Sequence, residues 1–260
     1  RPEEGTAEEL YQQIQVENQQ LINEGKIKKE KSLSEITEDE IPFDIPESWK
    51  WVRLQIVADI NGGHAFKSTN YTSNGVRVVR ISDFNEDGFI NDNIVRHDYD
   101  ESLSQYLLEE KNILLCMTGG TVGKSLVVRF LQEKMMVNQR VATIKVHTVL
   151  PEYIYLTILS PLTQSVIQHN KNSTNDNISM DTIKNFIIPL PPLIEQRRIV
   201  DRMEELQPYI ERYEKAWNKL EDLNKRFPID LQKSILQMAI QGKLVEQRPE
   251  EGTGEELYQQ

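Results

Sequence analysis

The sequence predicts an α+β protein: one mixed α/β domain followed by a long, coiled-coil-like helical segment. Three observations predict it. Between residues 49 and 190, short β-branched and apolar runs alternate with glycine-bearing turns. From Ile199 to Phe227, apolar residues recur in alternating steps of four and three, which is a heptad seam of about four repeats. The two ends of the chain carry nearly the same thirteen residues, RPEEGTAEELYQQ at 1–13 and RPEEGTGEELYQQ at 248–260, differing only at Ala7 against Gly254.

The elements follow in order. Thr6 and Glu9 form a capping-box pair, so a helix should start there. Leu10, Ile14 and Leu21 fall on one face of that helix, and Gly25 suits its C-terminal stop. Residues 26–48 are polar and charged, contain Pro42 and Pro46, and read as a linker. Trp49, Trp51, Val52 and Leu54 open the ordered domain. Strands are expected at Val76–Ile81, Asn112–Met117, Ser125–Phe130 and Val141–Val146, with one helix over Glu152–Ile167. Pro189, Pro191 and Pro192 close the domain. The seam then runs through Ile199, Met203, Leu206, Ile210, Tyr213, Trp217, Leu220, Asn224 and Phe227. Pro208 should kink or locally break it, and a second helix is expected after Pro228, running to Gly242. Asn224 is a polar seam residue of the kind that sets register. Four segments result: 1–48, helix and linker; 49–190, the α/β domain; 191–247, the helical region; and 248–260, the start of a repeated unit. A seam this long needs a partner: the helix at 6–24, a second copy of the chain, or another subunit.

Composition narrows the class. Hydrophobic residues make up 38% of the 260, enough for a core, and no apolar run reaches the eighteen residues of a membrane span. The chain opens Arg1-Pro2-Glu3-Glu4 without a signal-peptide pattern, and the single cysteine, Cys116, excludes a disulfide framework. Both point to the cytoplasm. The net charge of −11 argues against a protein that simply coats DNA. The charge is uneven, however: −8 over residues 1–48, zero over 49–187 and −3 over 188–260. Any DNA contact therefore belongs to the middle of the chain.

Several motifs invite chemistry. Gly119-Gly-Thr-Val-Gly123-Lys124-Ser125 resembles a phosphate loop, but only three residues separate Gly119 from Gly123, and Thr118 stands where glycine is required. It reads instead as a tight turn between strands from which Lys124 could reach a phosphate. The loop from Gly62 to Thr72 combines glycines with Lys67, Ser68, Thr69 and Asn70, groups that contact phosphates and base edges, although an ordinary polar loop has the same composition. Arg77 and Arg80 are three apart in a β-like run and face opposite sides. Arg140, beside Asn138 and Gln139, and the amide-rich stretch Asn170–Asn177, with Lys171 and Asn172, complete the candidates. The four histidines are scattered, so no metal site is expected, and no cofactor motif or catalytic carboxylate pair appears.

Particular segments carry a family resemblance. Ile45-Pro-Glu-Ser-Trp-Lys-Trp-Val-Arg-Leu54 resembles the start of a target-recognition domain in the specificity subunits of type I restriction-modification systems. Ile188-Pro-Leu-Pro-Pro-Leu-Ile-Glu-Gln-Arg-Arg-Ile-Val200 is similar to that domain's exit into a spacer helix, and Gln237–Val245 to the end of the spacer. Gly25–Lys29 and Asp39–Phe43 resemble the central conserved stretch, while Met117–Lys124 and Asn172–Ser179 resemble landmarks inside the domain. The resemblance spans nearly the whole chain. It implies a non-catalytic subunit with two recognition domains, each reading half of a split double-stranded DNA target, joined by antiparallel helices that set the gap. Methyltransferase subunits and restriction (motor) subunits would be its partners. This chain holds one such domain. It is therefore either a half-subunit that homodimerises or a piece of a longer subunit, and the terminal repeat fits both. A coiled-coil scaffold protein without DNA readout is the competing class.

Overall fold

The computed structural model describes residues 5–25, 35–170 and 177–259. The chain divides into two compact units, one ending at Arg202 and the other beginning at Met203.

The first unit starts with helix α1 (Ala7–Asn23). Its N-terminus is closed by the expected reciprocal pair: the Glu9 amide donates to Thr6 Oγ1 at 3.2 Å, and the Thr6 amide donates to Glu9 Oε2 at 3.0 Å. Gly25, at φ +70°, ends it, a conformation that costs glycine little. Ala7, Leu10 and Ile14 are buried. Leu10 and Ile14 belong to the same apolar cluster as Val52, Ile113, Ile144 and Val200. The helix is thus part of the α/β domain's core, and so is the start of the helix that follows it.

The α/β domain opens with β1 (Lys50–Arg53) and closes with β12 (Ile187–Leu190), which pair antiparallel with Trp51 opposite Pro189. Proline is tolerated because this ribbon has only two strands, so no further ladder needs its missing N–H. The segments that resembled the start and exit of a recognition domain therefore lie side by side. Gln196, fully buried, fastens the exit: its Oε1 accepts from the Leu150 amide at 3.1 Å and its Nε2 donates to the Pro191 carbonyl at 2.9 Å.

Between these ends lie the short helix α2 (Leu54–Val57) and β2 (Ala58–Gly62), β3 (Tyr71–Thr72), β4 (Val76–Val79), β5 (Phe84–Asn85), β6 (Gly88–Phe89), β7 (Val95–His97), β8 (Ile113–Cys116), β9 (Ser125–Val127), β10 (Met135–Val137) and β11 (Val141–Val146). They form two four-stranded sheets, ordered β2-β11-β8-β9 and β10-β4-β7-β3, and a small β5-β6 hairpin. In β8, Ile113 and Leu115 enter one apolar cluster while Leu114 and Cys116 enter another. Both faces of this strand are covered, which explains a continuous apolar run rather than an alternating one.

The helix expected over Glu152–Ile167 is two helices, α3 (Pro151–Leu159) and α4 (Pro161–His169). Pro161 cannot donate to the preceding turn, and Ser160 caps the new helix by accepting from the Thr163 amide. After α5 (Met180–Lys184), helix α6 runs unbroken from Leu193 to Ile240. The expected break at Pro208 and the separate helix after Pro228 are therefore corrected. Each proline frees the carbonyl four residues back, on Glu204 and Asn224, and both residues are exposed, so water can satisfy those groups.

In the second unit Met203, Ile210, Tyr213, Trp217, Leu220, Asn224 and Phe227 are exposed and Leu206 is half-buried. The Tyr213 and Trp217 rings stack 6.3 Å apart. The repeated sequence builds the same capped start at α7 (Gly254–Tyr258), where the Thr253 amide donates to Glu256 Oε2 at 2.9 Å. Leu257, the counterpart of buried Leu10, is 75% exposed. No helix among the described residues is long and apolar enough to cross a membrane.

Candidate nucleic-acid interface

Strand direction gathers the loops singled out in the sequence at one end of the β2-β11-β8-β9 sheet. The register sets Gly62, the last residue of β2, against Ala142 near the start of β11. Val141 faces Cys116, the last residue of β8, and Leu115 faces Ser125, the first of β9. The loop after β2, the β8–β9 link and the segment before β11 therefore share this end.

Asn138, Gln139 and Arg140 join these loops. The His64 amide donates to the Val137 carbonyl at 2.8 Å, and the Gln139 amide donates back to the His64 carbonyl at 3.0 Å. The Met117 amide donates to the Arg140 carbonyl at 2.9 Å, and the Ile178 amide to the Met117 carbonyl at 2.9 Å. Thr118 and Asn177 form a β-bridge, so the chain just beyond Lys171–Asp176 is attached here as well. Asn138 is buried; its amide donates to the Val79 carbonyl at 3.0 Å and its Oδ1 accepts from the Arg140 amide at 3.3 Å. The approach is close enough that a Cβ on Gly63 would sit 2.3 Å from the Val137 and Asn138 carbonyl oxygens, so only glycine fits. The β8–β9 link is the tight turn its sequence suggested: Gly119 and Gly123 both have positive φ, and the Gly123 amide donates to the Cys116 carbonyl.

The candidate residues separate into two groups. Lys67, Ser68, Thr69 and Asn70 are exposed on a 3-10 turn after β2, and Arg140 is exposed at the junction. Arg77, Arg80 and Lys124 are engaged inside the fold. Arg77 is buried, with Nη1 donating to Asn91 Oδ1 at 2.8 Å, Nη2 donating to the Ile90 carbonyl at 2.6 Å, and its guanidinium 5.5 Å from the Phe89 ring centre. Arg77, a sequence candidate for DNA contact, is thus buried with both terminal guanidinium nitrogens bonded within the protein. Arg80 grips buried Asp83 through Nε and Nη2 at 2.9 Å, a carboxylate contact that holds the guanidinium charged beyond its ordinary range. Lys124 Nζ donates to the Ile81 carbonyl at 2.6 Å and lies 5.1 Å from the Phe84 ring centre, so this lysine ties the two sheets' loops together. Lys171 and Asn172 lie outside the described residues.

Charge marks this end. The segments 62–72, 117–124 and 138–140 contain no aspartate or glutamate, in a chain of net charge −11. A ring cluster that sequence reading missed supports the β2 loop. His64 lies 4.8 Å from Phe66 and 5.1 Å from Tyr106, and Phe66 lies 5.0 Å from His97, between ring centres. Only the third dimension brings these four rings together. No cluster of histidine, cysteine, aspartate and glutamate suited to a metal ion occurs among the described residues. Cys116 is buried, and that burial pushes its thiol up to about 11.

Residues 46–222 match the family model described as the type I restriction modification DNA specificity domain. The chain belongs to this family. It is 32% identical over 213 residues to the EcoAI specificity subunit of Escherichia coli, an alignment covering 79% of this chain and 36% of the relative. It is 27% identical to the EcoEI specificity subunit of the same organism, covering 78% and 36%. A solved chain from work on complex assembly and conformational transition of the type I R-M system aligns over 78% of this specificity domain chain and 48% of its own length, with TM-score 0.57 and 25% identity. The HsdS subunit from Thermoanaerobacter tengcongensis has the same fold, with TM-score 0.53 at 24% identity. The chain spans less than half the length of each of these relatives. Family membership also bears out the α+β expectation, an α/β domain leading into a long helix.

Proposed function

We propose that this specificity domain binds double-stranded DNA through the loop end described above and reads one half of a split target. The carrying observation is the electrostatic contrast: three adjoining loops bear Lys67 and Arg140 without a single carboxylate, while the whole chain is acidic. Phosphate binding requires such a local field, and the acidic remainder confines contact to that end. Hydroxyls and amides at Ser68, Thr69 and Asn70 supply groups for phosphate and base edges.

The exposed face of α6 acts as spacer and assembly surface in this reading. It pairs with another helix of the same kind, in a second copy or in a continuation of the chain, and so sets the gap between half-targets. Methyltransferase and restriction subunits dock on the assembly and carry the chemistry, and the domain itself catalyses nothing. The proposed location is the cytoplasm, the compartment holding the DNA it would read.

The test is duplex binding by the full chain over a salt series. Log affinity should fall linearly with log salt, and Lys67→Ala should reduce that slope by about 0.9, one phosphate's worth. Binding of no duplex at any salt by the wild-type chain would remove the proposal.

A further inference from the structure

We infer that Arg140 is a specificity-determining residue, reading a guanine edge in the major groove. The inference rests on the DNA-binding proposal and assigns one of its contacts. Arginine is suited to this role because its planar fork pairs with O6 and N7 of guanine together.

Four other arginines of the α/β domain are already engaged. Arg53 binds Glu40 through Nη2 at 2.9 Å, Arg77 holds Asn91 and the Ile90 carbonyl, Arg80 holds Asp83, and Arg96 binds Glu133 at 2.7 Å. Arg129 is exposed, but it follows the C-terminal end of β9 and so lies at the opposite end of the sheet. Arg140 is exposed at the loop end, and its guanidinium has no hydrogen-bond or ion-pair partner among the described residues.

Its backbone, by contrast, is fixed on both sides. The amide is held by Asn138 Oδ1 and the carbonyl by the Met117 amide, while the preceding residue is bonded to His64. Asn138 is itself buried and bonded to Val79. A free guanidinium on an immobilised backbone is what base readout requires: the donor fork is presented from a defined point, so little ordering entropy is lost on contact. Lys67, by comparison, is a point charge on a flexible stem and suits a phosphate.

The experiment selects bound duplexes from a random-sequence pool with the full chain, comparing wild type, Arg140→Ala and Arg140→Gln. Wild type should enrich a motif with guanine at one position. Arg140→Ala should enrich the same motif with that position relaxed, discrimination there dropping roughly 5- to 150-fold. Arg140→Gln should move the preference at that position toward adenine, the base that glutamine pairs with bidentately. If all three proteins enrich one motif with equal preference at every position, Arg140 is not a reader, and the DNA-binding proposal stands without it. If the wild type enriches nothing, the proposal and this inference fall together.

Discussion

Truncating Ile14 tests whether α1 is an integral part of the domain or an arm resting on it. Ile14 is fully buried among residues contributed by β1, β2, β8 and β11, so Ile14→Ala removes three carbons from a closed core. Such deletions cost about 2–5 kcal/mol, the transfer term plus the unfilled cavity. A unit of about 200 residues loses roughly 2–4 °C of melting temperature per kcal/mol. A cost of about 3 kcal/mol therefore lowers its melting temperature by roughly 6–12 °C. Val16 lies on the same helix and is 71% exposed, so Val16→Ala serves as the control, expected within about 0.5 kcal/mol of wild type. Differential scanning calorimetry of the three proteins decides. If Ile14→Ala and Val16→Ala melt together within a degree, α1 contributes no core packing, and the placement of residues 7–23 inside the domain is wrong.

Three further expectations concern residues inside the domain. Arg77→Met should cost about 2–3 kcal/mol in urea unfolding, because the Ile90 carbonyl and Asn91 lose a charged donor, while the salt slope of DNA binding stays at the wild-type value; an intact stability with a reduced slope would return Arg77 to the DNA footprint. Burial, aided by Lys145, holds the His147 imidazole below its usual pKa against the opposing pull of Asp59, Glu17 and Glu109. The unfolded chain then takes up this proton near pH 6.5 while the folded chain resists, so the contribution is complete above that pH and is lost as pH falls through the folded value. Unfolding free energy should decline on acidification below about pH 6.5, and His147→Asn should flatten the decline; an unaltered curve assigns it to other groups. Cys116, with its thiol pushed up to about 11, should resist iodoacetamide at neutral pH in the native protein and react once the chain is denatured; rapid native labelling would contradict its burial.

Local chemistry made parts of this protein readable from residues alone. The capping box at Thr6 and Glu9 and the stop at Gly25 depend only on groups within a few residues, and they form as expected. The Gly119–Ser125 stretch was legible as a turn for the same reason. The seam of α6 follows from period, and its continuity through Pro208 and Pro228 was misjudged because a proline's local penalty says nothing about whether water can reach the carbonyls it frees. Strands two or three residues long, such as β3, β6 and β10, carry too little pattern to be seen.

What the sequence by itself determined was the class of the chain, its division into an α/β body and a helical seam, and the acid-free character of three loops. Only the tertiary structure decided which of the domain's cations are free. Arg77, Arg80 and Arg140 look alike in a sequence, but a guanidinium's availability depends on the carbonyls and carboxylates that the folded chain brings within 3 Å. The chain after β6 returns Ile90 and Asn91 to Arg77, the turn after β4 sets Asp83 on Arg80, and nothing described lies against Arg140.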